Sequence, residues 1–220
     1  MREINLLARY PVSKGRNQLR PQVLEADRRI AKQFGREYFD GPRTQGYGGY
    51  TYHERFWTGV AEDFRDAYGI GAGTRVLDVG CGKGFLLHDL RRVAPGVEVF
   101  GLDISEYGIQ QSMEDVRPYL VRGTAASLPF PDATFDVVIS VNTLHNLPLD
   151  LCKQAVRELE RVKRPAGHGY LQVDSWLDEE QHQAFEQWQL TALTYFDRET
   201  WKHLFAEAGY TGDFYWTITE

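Results

Sequence analysis

The spacing of apolar residues changes near residue 70. Before it, apolar residues recur at helical spacing in two segments, 23–34 and 56–68. After it, runs rich in Val, Ile, Leu and aromatic residues predict strands at 75–80, 97–103, 119–122, 135–141, 168–174 and 213–219. Between and after these runs, helical patterns predict helices at 84–93, 106–117, 151–162, 178–190 and 198–208. The alternation predicts an α/β fold, a mainly parallel sheet with helices on both faces.

Polar residues indicate where some helices begin and end. Asp150 and Asp197 are predicted N-caps, and Gly69 and Gly209 follow the last apolar residues of two helices. The helix that contains residues 23–34 is predicted to open at Pro21. We therefore expect an N-terminal cap of helices and loop, residues 1–69, followed by an α/β domain, residues 70–220.

A glycine- and tyrosine-rich segment, residues 38–52, separates the first two predicted helices. Its sequence is Tyr38-Phe39-Asp40-Gly41-Pro42-Arg43-Thr44-Gln45-Gly46-Tyr47-Gly48-Gly49-Tyr50-Thr51-Tyr52. Glycine favours loop conformations, and the tyrosines supply aromatic anchors. The segment is predicted to be a loop held by aromatic packing.

Charge and cysteine content narrow the class of protein. The formal net charge of −6 argues against a nucleic-acid-binding surface, although residues 1–43 carry ten Lys/Arg against five Asp/Glu. That basic segment either attracts an anionic substrate or packs on the acidic remainder. The two cysteines form no disulfide framework and no metal-ligand spacing. Without an apolar run long enough to span a membrane or a signal peptide, the expected location is cytoplasmic.

A glycine motif follows the first predicted strand. It reads Val76-Leu77-Asp78-Val79-Gly80-Cys81-Gly82-Lys83-Gly84. The phosphate-binding pattern Gly-x-x-x-x-Gly-Lys-Ser/Thr is absent, and the dinucleotide pattern fails because Phe85 occupies its third glycine position. The adjacent Asp78 favours a ligand that carries positive charge and no diphosphate.

The second predicted strand ends at Asp103, nineteen residues after Gly84. An acidic side chain there can accept hydrogen bonds from both hydroxyls of a ribose. The alternative is that Asp103 caps the following helix, a role for which Ser105 competes. The ribose interpretation is favoured, since a better cap is already present.

Two further segments accompany the glycine motif: Gly101-Leu102-Asp103-Ile104-Ser105 and Leu128-Pro129-Phe130-Pro131-Asp132-Ala133-Thr134-Phe135-Asp136-Val137-Val138. With these three segments in this order, the chain resembles the class I S-adenosylmethionine-dependent methyltransferases. The resemblance covers about residues 70–210. It implies a doubly wound, Rossmann-like sheet of the seven-stranded type with S-adenosylmethionine as cofactor. That sheet usually ends in an antiparallel hairpin, so its last edge strand is expected to be missing or supplied differently.

The resemblance implies roles for the residues of the methionine half of the cofactor site. The backbone from Gly80 through Cys81 to Gly82 would contact the methionine part. Asp78 would bind the amino group of the cofactor, directly or through water.

The resemblance also implies roles in the adenosine half. Asp103 would hold the ribose, and Ile104 would pack on the adenine. Many relatives carry an aspartate where this chain has Thr124. Backbone groups of Thr124 and Ala125 are therefore expected to recognise much of the adenine.

Candidate chemistry lies where predicted strands end. Asn142 and His145 follow the fourth strand, and His145 is either a general base or a structural hydrogen-bonding residue. Asp174 could orient a substrate amine, and Trp176 is either an aromatic wall or a core residue. All four would lie at the ligand-binding edge of a parallel sheet.

The tyrosine-rich loop is interpreted as a lid over the cofactor. Aromatic faces of Tyr47, Tyr50 and Tyr52 would stabilise a sulfonium by about 0.5–2 kcal/mol each, and closure would exclude water. We therefore assign Tyr50 to the catalytic set with His145 and Asn142, and Tyr47 and Asn142 to the cofactor site. The alternative is a loop anchored by packing against Trp57.

The sequence thus predicts a methyltransferase that acts on a small molecule with an amine, hydroxyl or carboxylate acceptor. An alternative keeps the cofactor but releases methylthioadenosine, through intramolecular cyclisation or aminocarboxypropyl transfer. A third is a cofactor-binding sensor without catalysis. No nucleic-acid or membrane partner is expected, and the sequence leaves the oligomeric state open.

Overall fold

The computed structural model describes residues 1–11 and 23–218. At its centre, six strands form one sheet in the order β3-β2-β1-β4-β5-β6, and every pairing is parallel. The strands are β1 (Arg75–Val79), β2 (Glu98–Asp103), β3 (Leu120–Arg122), β4 (Phe135–Val141), β5 (Lys163–Ser175) and β6 (Asp213–Ile218). The predicted doubly wound α/β fold is confirmed.

Helices cover both faces of this sheet. They are α1 (Glu25–Ala31), α2 (Arg36–Asp40), α3 (Glu54–Tyr68), α4 (Phe85–Val93), α5 (Glu106–Gln110), α6 (Leu149–Val162), α7 (Glu179–Trp188) and α8 (Arg198–Glu207). Apolar residues of α3 and α4 pack on one face of the sheet, and those of α6 and α8 pack on the other. None of the helices described is long and apolar enough to cross a membrane.

Burial explains why the central strands read as continuous apolar runs. Four consecutive residues of β1, from Val76 to Val79, are buried because both faces of the strand are covered. In β4, Phe135 and the segment 137–140 are buried for the same reason. Since all six strands run in one direction, their carboxyl ends share one edge, where open α/β sheets bind ligands.

Two predicted helix boundaries are wrong. The helix that follows β2 ends at Gln110 rather than residue 117, and Ser112 beyond it donates its hydroxyl to the carbonyl of Ile109. The helix after β4 begins at Leu149, with Pro148 as the residue before it, so Asp150 lies in the first turn rather than at the cap.

The predicted cap at Asp197 is confirmed. Its Oδ1 atom accepts hydrogen bonds from the backbone N–H groups of Glu199 at 2.9 Å and Thr200 at 3.0 Å. Pro21, the expected start of the first helix, and residue 219 of the last predicted strand lie outside the described residues.

The outer edge of β6 is covered by the N-terminal segment Arg2–Ile4. The Ile4 N–H donates to the Phe214 carbonyl and the Phe214 N–H donates to the Arg2 carbonyl, both at 3.0 Å, which makes one parallel bridge. Arg2 also binds the Asp213 carboxylate with two nitrogens, at 3.0 and 2.6 Å. The described residues contain no antiparallel edge strand, and this segment takes its place beside β6.

Candidate active site

A cavity of about 480 Å³ opens at the carboxyl edge of the sheet. Strand ends form its floor, and the N-terminal segment, α2, the tyrosine-rich loop and α7 form its walls. Its lining includes Asn5, Tyr10, Tyr38, Phe39, Tyr47, Tyr50, Trp57, Asp78, Gly80, Cys81, Gly82, Asp103, Ile104, Gly123, Thr124, Ala125, Asn142, Gln172, Trp188, Tyr215, Trp216 and Thr217. The structure therefore brings all the cofactor-binding residues predicted from the sequence to one cavity.

The glycine motif turns tightly beneath this cavity. Gly80 has a φ of +86°, and a Cβ atom there would lie 1.9 Å from Thr143 Oγ1. The N–H groups of Gly80 and Cys81 both donate to the carbonyl of Leu102, at 2.7 and 3.1 Å. Only glycine fits this close approach of two strand ends, and it leaves bare backbone facing the cavity.

Asp103 is bound by backbone rather than by other side chains. Its Oδ2 accepts from Gly82 N at 2.7 Å and its Oδ1 accepts from Ser105 N at 2.8 Å. The helix cap is Ser105, whose Oγ accepts from Gly108 N at 2.8 Å. The Asp103 carboxylate keeps acceptor capacity for a ligand, because it can accept about four hydrogen bonds and backbone groups of Gly82, Ile104 and Ser105 use at most three.

Asp78 is a buried carboxylate without compensation. The residue is buried, with 5% of its surface exposed, yet its side chain makes no hydrogen bond or ion pair to any residue in the described part of the chain. Burial, with a smaller contribution from the Asp103 carboxylate, raises the pKa of Asp78 to about 7. A cationic ligand group would supply the missing charge partner.

An apolar side chain and a polar loop face each other on the β2–β3 side of the cavity. Ile104 is 50% exposed and lines the cavity directly after Asp103. Opposite this strand end lie Gly123, Thr124 and Ala125, and the Thr124 hydroxyl accepts weakly from Ala126 N at 3.3 Å. An exposed apolar group beside backbone amides suits a flat heterocycle.

Aromatic rings of the tyrosine-rich loop lie over the glycine motif. A Cβ atom at Gly82 would be 3.5 Å from Phe39 Cε1 and 3.7 Å from Tyr50 Cε1. The rings of Tyr47 and Tyr50 stack with centroids 4.4 Å apart, and Tyr50 stacks on Phe85 at 4.8 Å. Burial raises the pKa of Tyr50 well above its ordinary value, so its phenol is neutral.

Two details of the predicted loop are wrong. Tyr52 does not line the cavity, because its hydroxyl donates to Asp89 at 2.7 Å on α4 and accepts from Arg92 at 2.8 Å. Trp57 lines the cavity but packs on Tyr10 of the N-terminal segment, with centroids 5.1 Å apart. The loop rests instead on Phe85, as the stacking of Tyr50 shows.

His145 lies outside the cavity, which corrects its prediction as a general base. Its Nδ1 accepts from Asp174 N at 3.3 Å, and its Nε2 lies 3.3 Å from Asp174 Oδ2. Burial lowers the pKa of His145, against the raising effect of Asp174. Asp174 and Trp176 are also absent from the lining; the indole of Trp176 stacks on His182 at 4.0 Å.

Asn142 does line the cavity, together with residues that the sequence interpretation missed. They are Gln172 on β5, Thr217 and Tyr215 on β6, and Tyr10 in the N-terminal segment. A polar Gln172 inside an otherwise apolar strand was one usable signal. A parallel β6 was another, because it brings residues 215–217 to the same sheet edge.

The charge of the cavity is one-sided. Among its lining residues in the described part of the chain, the ionisable carboxylates are Asp78 and Asp103, and no Lys, Arg or His contributes. Fields in such a cleft attract cations and repel anions. The cavity therefore suits a ligand with positive charge, and any second ligand beside it should not be anionic.

Residues 77–171 match the protein family described as "Methyltransferase domain". The chain is 38% identical over 100 residues to the demethylmenaquinone methyltransferase of Lysinibacillus sphaericus (strain C3-41). The aligned segment covers 43% of this chain and 42% of that protein. It is 40% identical over 106 residues to the enzyme of the same name from Staphylococcus aureus (strain JH9), covering 45% and 42%. The chain thus matches less than half the length of these curated relatives.

Solved structures share the fold. A putative methyltransferase from Bacillus halodurans C-125 superposes with a TM-score of 0.54 at 21% identity, over 68% of each chain. A putative sarcosine dimethylglycine methyltransferase from Galdieria sulphuraria also gives 0.54, at 17% identity, over 69% of this chain and 58% of that one. At these identities the likeness concerns the arrangement of strands and helices.

Proposed function

We propose that this chain, a member of the class I S-adenosylmethionine-dependent methyltransferase superfamily, transfers a methyl group from S-adenosylmethionine to a small-molecule acceptor. The observation that carries the proposal is the extent of the cavity. Its lining runs from Ile104 after β2 to Thr217 on β6, across four strand spacings. At about 4.8 Å each, these span roughly 19 Å, which leaves room for an acceptor beside the cofactor.

The residues on the β1–β3 side fit the cofactor by their chemistry. Asp78 is an uncompensated carboxylate where the cationic amino group of the methionine part would bind. Asp103 keeps acceptor capacity for a ribose hydroxyl, and Ile104 offers an apolar face for adenine. The absence of side chains at Gly80 and Gly82 lets a ligand approach the backbone there.

The tyrosine-rich loop supplies the electrostatic environment of the reacting end. S-Adenosylmethionine provides an electrophilic methyl group on a positively charged sulfur. Tyr47 and Tyr50 present neutral aromatic faces above Gly82, where a cation is stabilised by about 0.5–2 kcal/mol per ring. The loop also excludes water, which strengthens these interactions.

Methyl transfer at this site would form a bond from the acceptor to the methyl carbon, leave the carbon–sulfur bonding electrons on sulfur, and release the acceptor proton to bulk solvent. The described lining offers no His145 or tyrosinate base beside Asn142, because His145 lies elsewhere and the Tyr50 phenol stays protonated. Holding the nucleophile in line with the methyl group is the main catalytic contribution. The name demethylmenaquinone methyltransferase, carried by the curated relatives, supports a small-molecule acceptor.

The proposal is tested by cofactor binding and acceptor dependence. Isothermal titration with S-adenosylhomocysteine should show one site per chain, and Asp103→Ala should weaken it by about tenfold or more. Asp132→Ala, which removes a carboxylate that is 78% exposed, is the matched control and should bind as the wild type does. Failure of both S-adenosylmethionine and S-adenosylhomocysteine to bind would overturn the proposal.

A further inference from the structure

A chain of four hydrogen bonds runs from the N-terminal segment to the cavity. The Leu6 N–H donates to Tyr170 Oη at 3.4 Å, and Tyr170 Oη donates to Gln172 Oε1 at 2.7 Å. Gln172 Nε2 donates to Thr217 Oγ1 at 2.9 Å, and Thr217 Oγ1 donates to Asn142 Oδ1 at 2.8 Å. We name these residues the Gln172 relay. It joins β4, β5 and β6 beneath the cavity.

The relay has a direction. A backbone N–H can only donate, so the Tyr170 hydroxyl accepts a hydrogen bond from Leu6 and donates its own O–H to Gln172. Gln172 thereby uses its oxygen as acceptor and must donate through its amide nitrogen. The Thr217 hydroxyl accepts that bond and donates onward, which fixes Asn142 with its oxygen turned toward Thr217.

Asn142 consequently presents N–H donors to the cavity. Its Nδ2 makes no hydrogen bond to any residue in the described part of the chain, and its side chain is exposed on the cavity lining. The backbone holds it there at a φ of +51°, with its N–H donating to the Gln172 carbonyl at 2.9 Å. This left-handed conformation is uncommon outside glycine and is often found at functional sites.

The surrounding walls narrow the ligand further. Tyr10, Trp57 and Tyr215 give this side of the cavity aromatic faces. Asp78 and Asp103 disfavour an anion, and the described lining holds no basic side chain to offset them. A protonated amine offers only donors, so it cannot accept from Asn142.

We infer that the acceptor is an uncharged, planar molecule whose oxygen, a hydroxyl or a carbonyl, accepts a hydrogen bond from Asn142 Nδ2, and that the Gln172 relay sets this preference. The inference rests on the proposed function for the identity of the acceptor. The relay itself makes a prediction about binding that does not depend on turnover. Gln172, Thr217 and Tyr170 are positioning residues, because they act through Asn142.

The test uses the full chain saturated with S-adenosylhomocysteine, two flat bicyclic ligands of similar shape and one bicyclic anion. 1-Indanone only accepts hydrogen bonds, indole only donates them, and indane-1-carboxylate is an anion. Ligand-observed NMR titration should show 1-indanone binding about tenfold more tightly than either of the others. Equal affinities, or no binding of 1-indanone, would overturn the inference.

Two variants should reverse the preference. In Gln172→Glu, the carboxylate can only accept, so Thr217 must donate to it and accept from Asn142, whose carbonyl then faces the cavity. In Asn142→Asp, the donor is removed directly and an oxygen takes its place. Both should bind indole in preference to 1-indanone. A preference for 1-indanone that survives in the folded variants would contradict the relay.

Thr217→Val and Thr58→Val form the matched pair of controls. Thr217→Val cuts the relay and should abolish the preference between indole and 1-indanone. Thr58 is similarly half-buried and donates to Asp89 outside the cavity, so its valine variant should retain the wild-type preference. If the wild type binds S-adenosylhomocysteine but shows no preference between the ligands, this inference alone is wrong. If the wild type does not bind the cofactor at all, the proposed function is wrong.

Discussion

Lys83 and Asp40 form an ion pair that fastens the tyrosine-rich loop to the glycine motif, with Lys83 Nζ 2.7 Å from Asp40 Oδ2. Lys83 also donates to the carbonyl of Tyr50 at 2.8 Å, and Asp40 accepts from Tyr50 N at 3.0 Å. Tyr107 Oη donates to Asp40 at 2.7 Å. The lysine between two motif glycines therefore fixes the position of the aromatic rings above the cavity.

Asp40→Asn should destabilise the protein because it leaves the Lys83 ammonium, 7% exposed, without its counter-charge. We expect a loss of about 1–3 kcal/mol in urea unfolding, with faster proteolysis within residues 38–52. Burial opposes the Asp40 charge, but hydrogen bonds from Lys83 and Tyr107 outweigh it and hold the pKa of Asp40 below its ordinary value. The stability difference between the two proteins should therefore shrink only as pH falls through that lowered pKa.

Glu106→Gln is the control for Asp40→Asn. It breaks a pair with Arg122 in which both side chains are 61% exposed, and such pairs contribute little to stability. The fastening role is wrong if the two variants unfold at the same urea concentration and resist protease equally.

Cofactor affinity should depend on the protonation of Asp78. With a pKa of about 7 in the free protein, its carboxyl is protonated on the acid side and offers no charge to the cofactor amino group. The Kd of S-adenosylhomocysteine should fall as pH rises from about 6 to 8 and then level off. Asp78→Asn should bind weakly at every pH and lose this dependence; an unchanged pH profile would count against the assignment.

The same variant should stabilise the free protein at alkaline pH. The folded pKa of Asp78 is raised above its unfolded value, so the folded state holds a proton that the unfolded state has lost, and stability falls as pH rises from about 4 to 7. At about pH 8, Asp78→Asn should unfold with a free energy about 1–3 kcal/mol higher than the wild type. Denaturant unfolding of both proteins without ligand measures this difference in the free energy of unfolding.

Tyr50 should act through its ring rather than its hydroxyl. Tyr50→Phe keeps the aromatic face above Gly82, whereas Tyr50→Leu removes it. The leucine variant should weaken S-adenosylmethionine by about 2- to 30-fold while affecting the uncharged sulfur of S-adenosylhomocysteine much less. Tyr52→Leu, which changes a tyrosine outside the cavity, should leave the affinity ratio of the two compounds unchanged, and equal losses for both in Tyr50→Leu would refute the cation–π role.

His145→Gln should alter stability and leave the pH dependence of turnover in place. The imidazole is buried with a lowered pKa and binds Asp174 outside the cavity. Because the unfolded state takes up a proton that the buried ring does not, this residue costs the wild type stability below about pH 6.5. A turnover profile that loses its dependence near neutral pH in His145→Gln would restore the histidine as a base.

The strands and the residues at their ends were predictable because their signals are local. Asp78, Gly80 and Asp103 come directly from the pattern of a buried strand followed by a turn. A mainly parallel sheet was expected, but the hydrogen bonds that join Arg2 and Ile4 to Phe214 at its edge were not, since these residues are far apart in the chain.

The β4–β6 side of the cavity was less predictable for the same reason. Thr217 and Asn142 are 75 positions apart, and their hydrogen bond exists only because β4, β5 and β6 are neighbours. Likewise, the sequence placed His145 at a strand end but could not show that its ring turns toward Asp174. Direction of a side chain within a loop depends on such long-range partners.

Under the proposed function, S-adenosylmethionine is consumed by methyl transfer to an added acceptor. Mass spectrometry of reactions with methyl-deuterated S-adenosylmethionine tests it most directly, with and without a panel of phenols, amines and carboxylic acids. We expect S-adenosylhomocysteine and a deuteromethylated product only when an acceptor is present, with phenols giving the most product. Methylthioadenosine formed without any acceptor would contradict it and show that the chain cleaves or cyclises its cofactor instead.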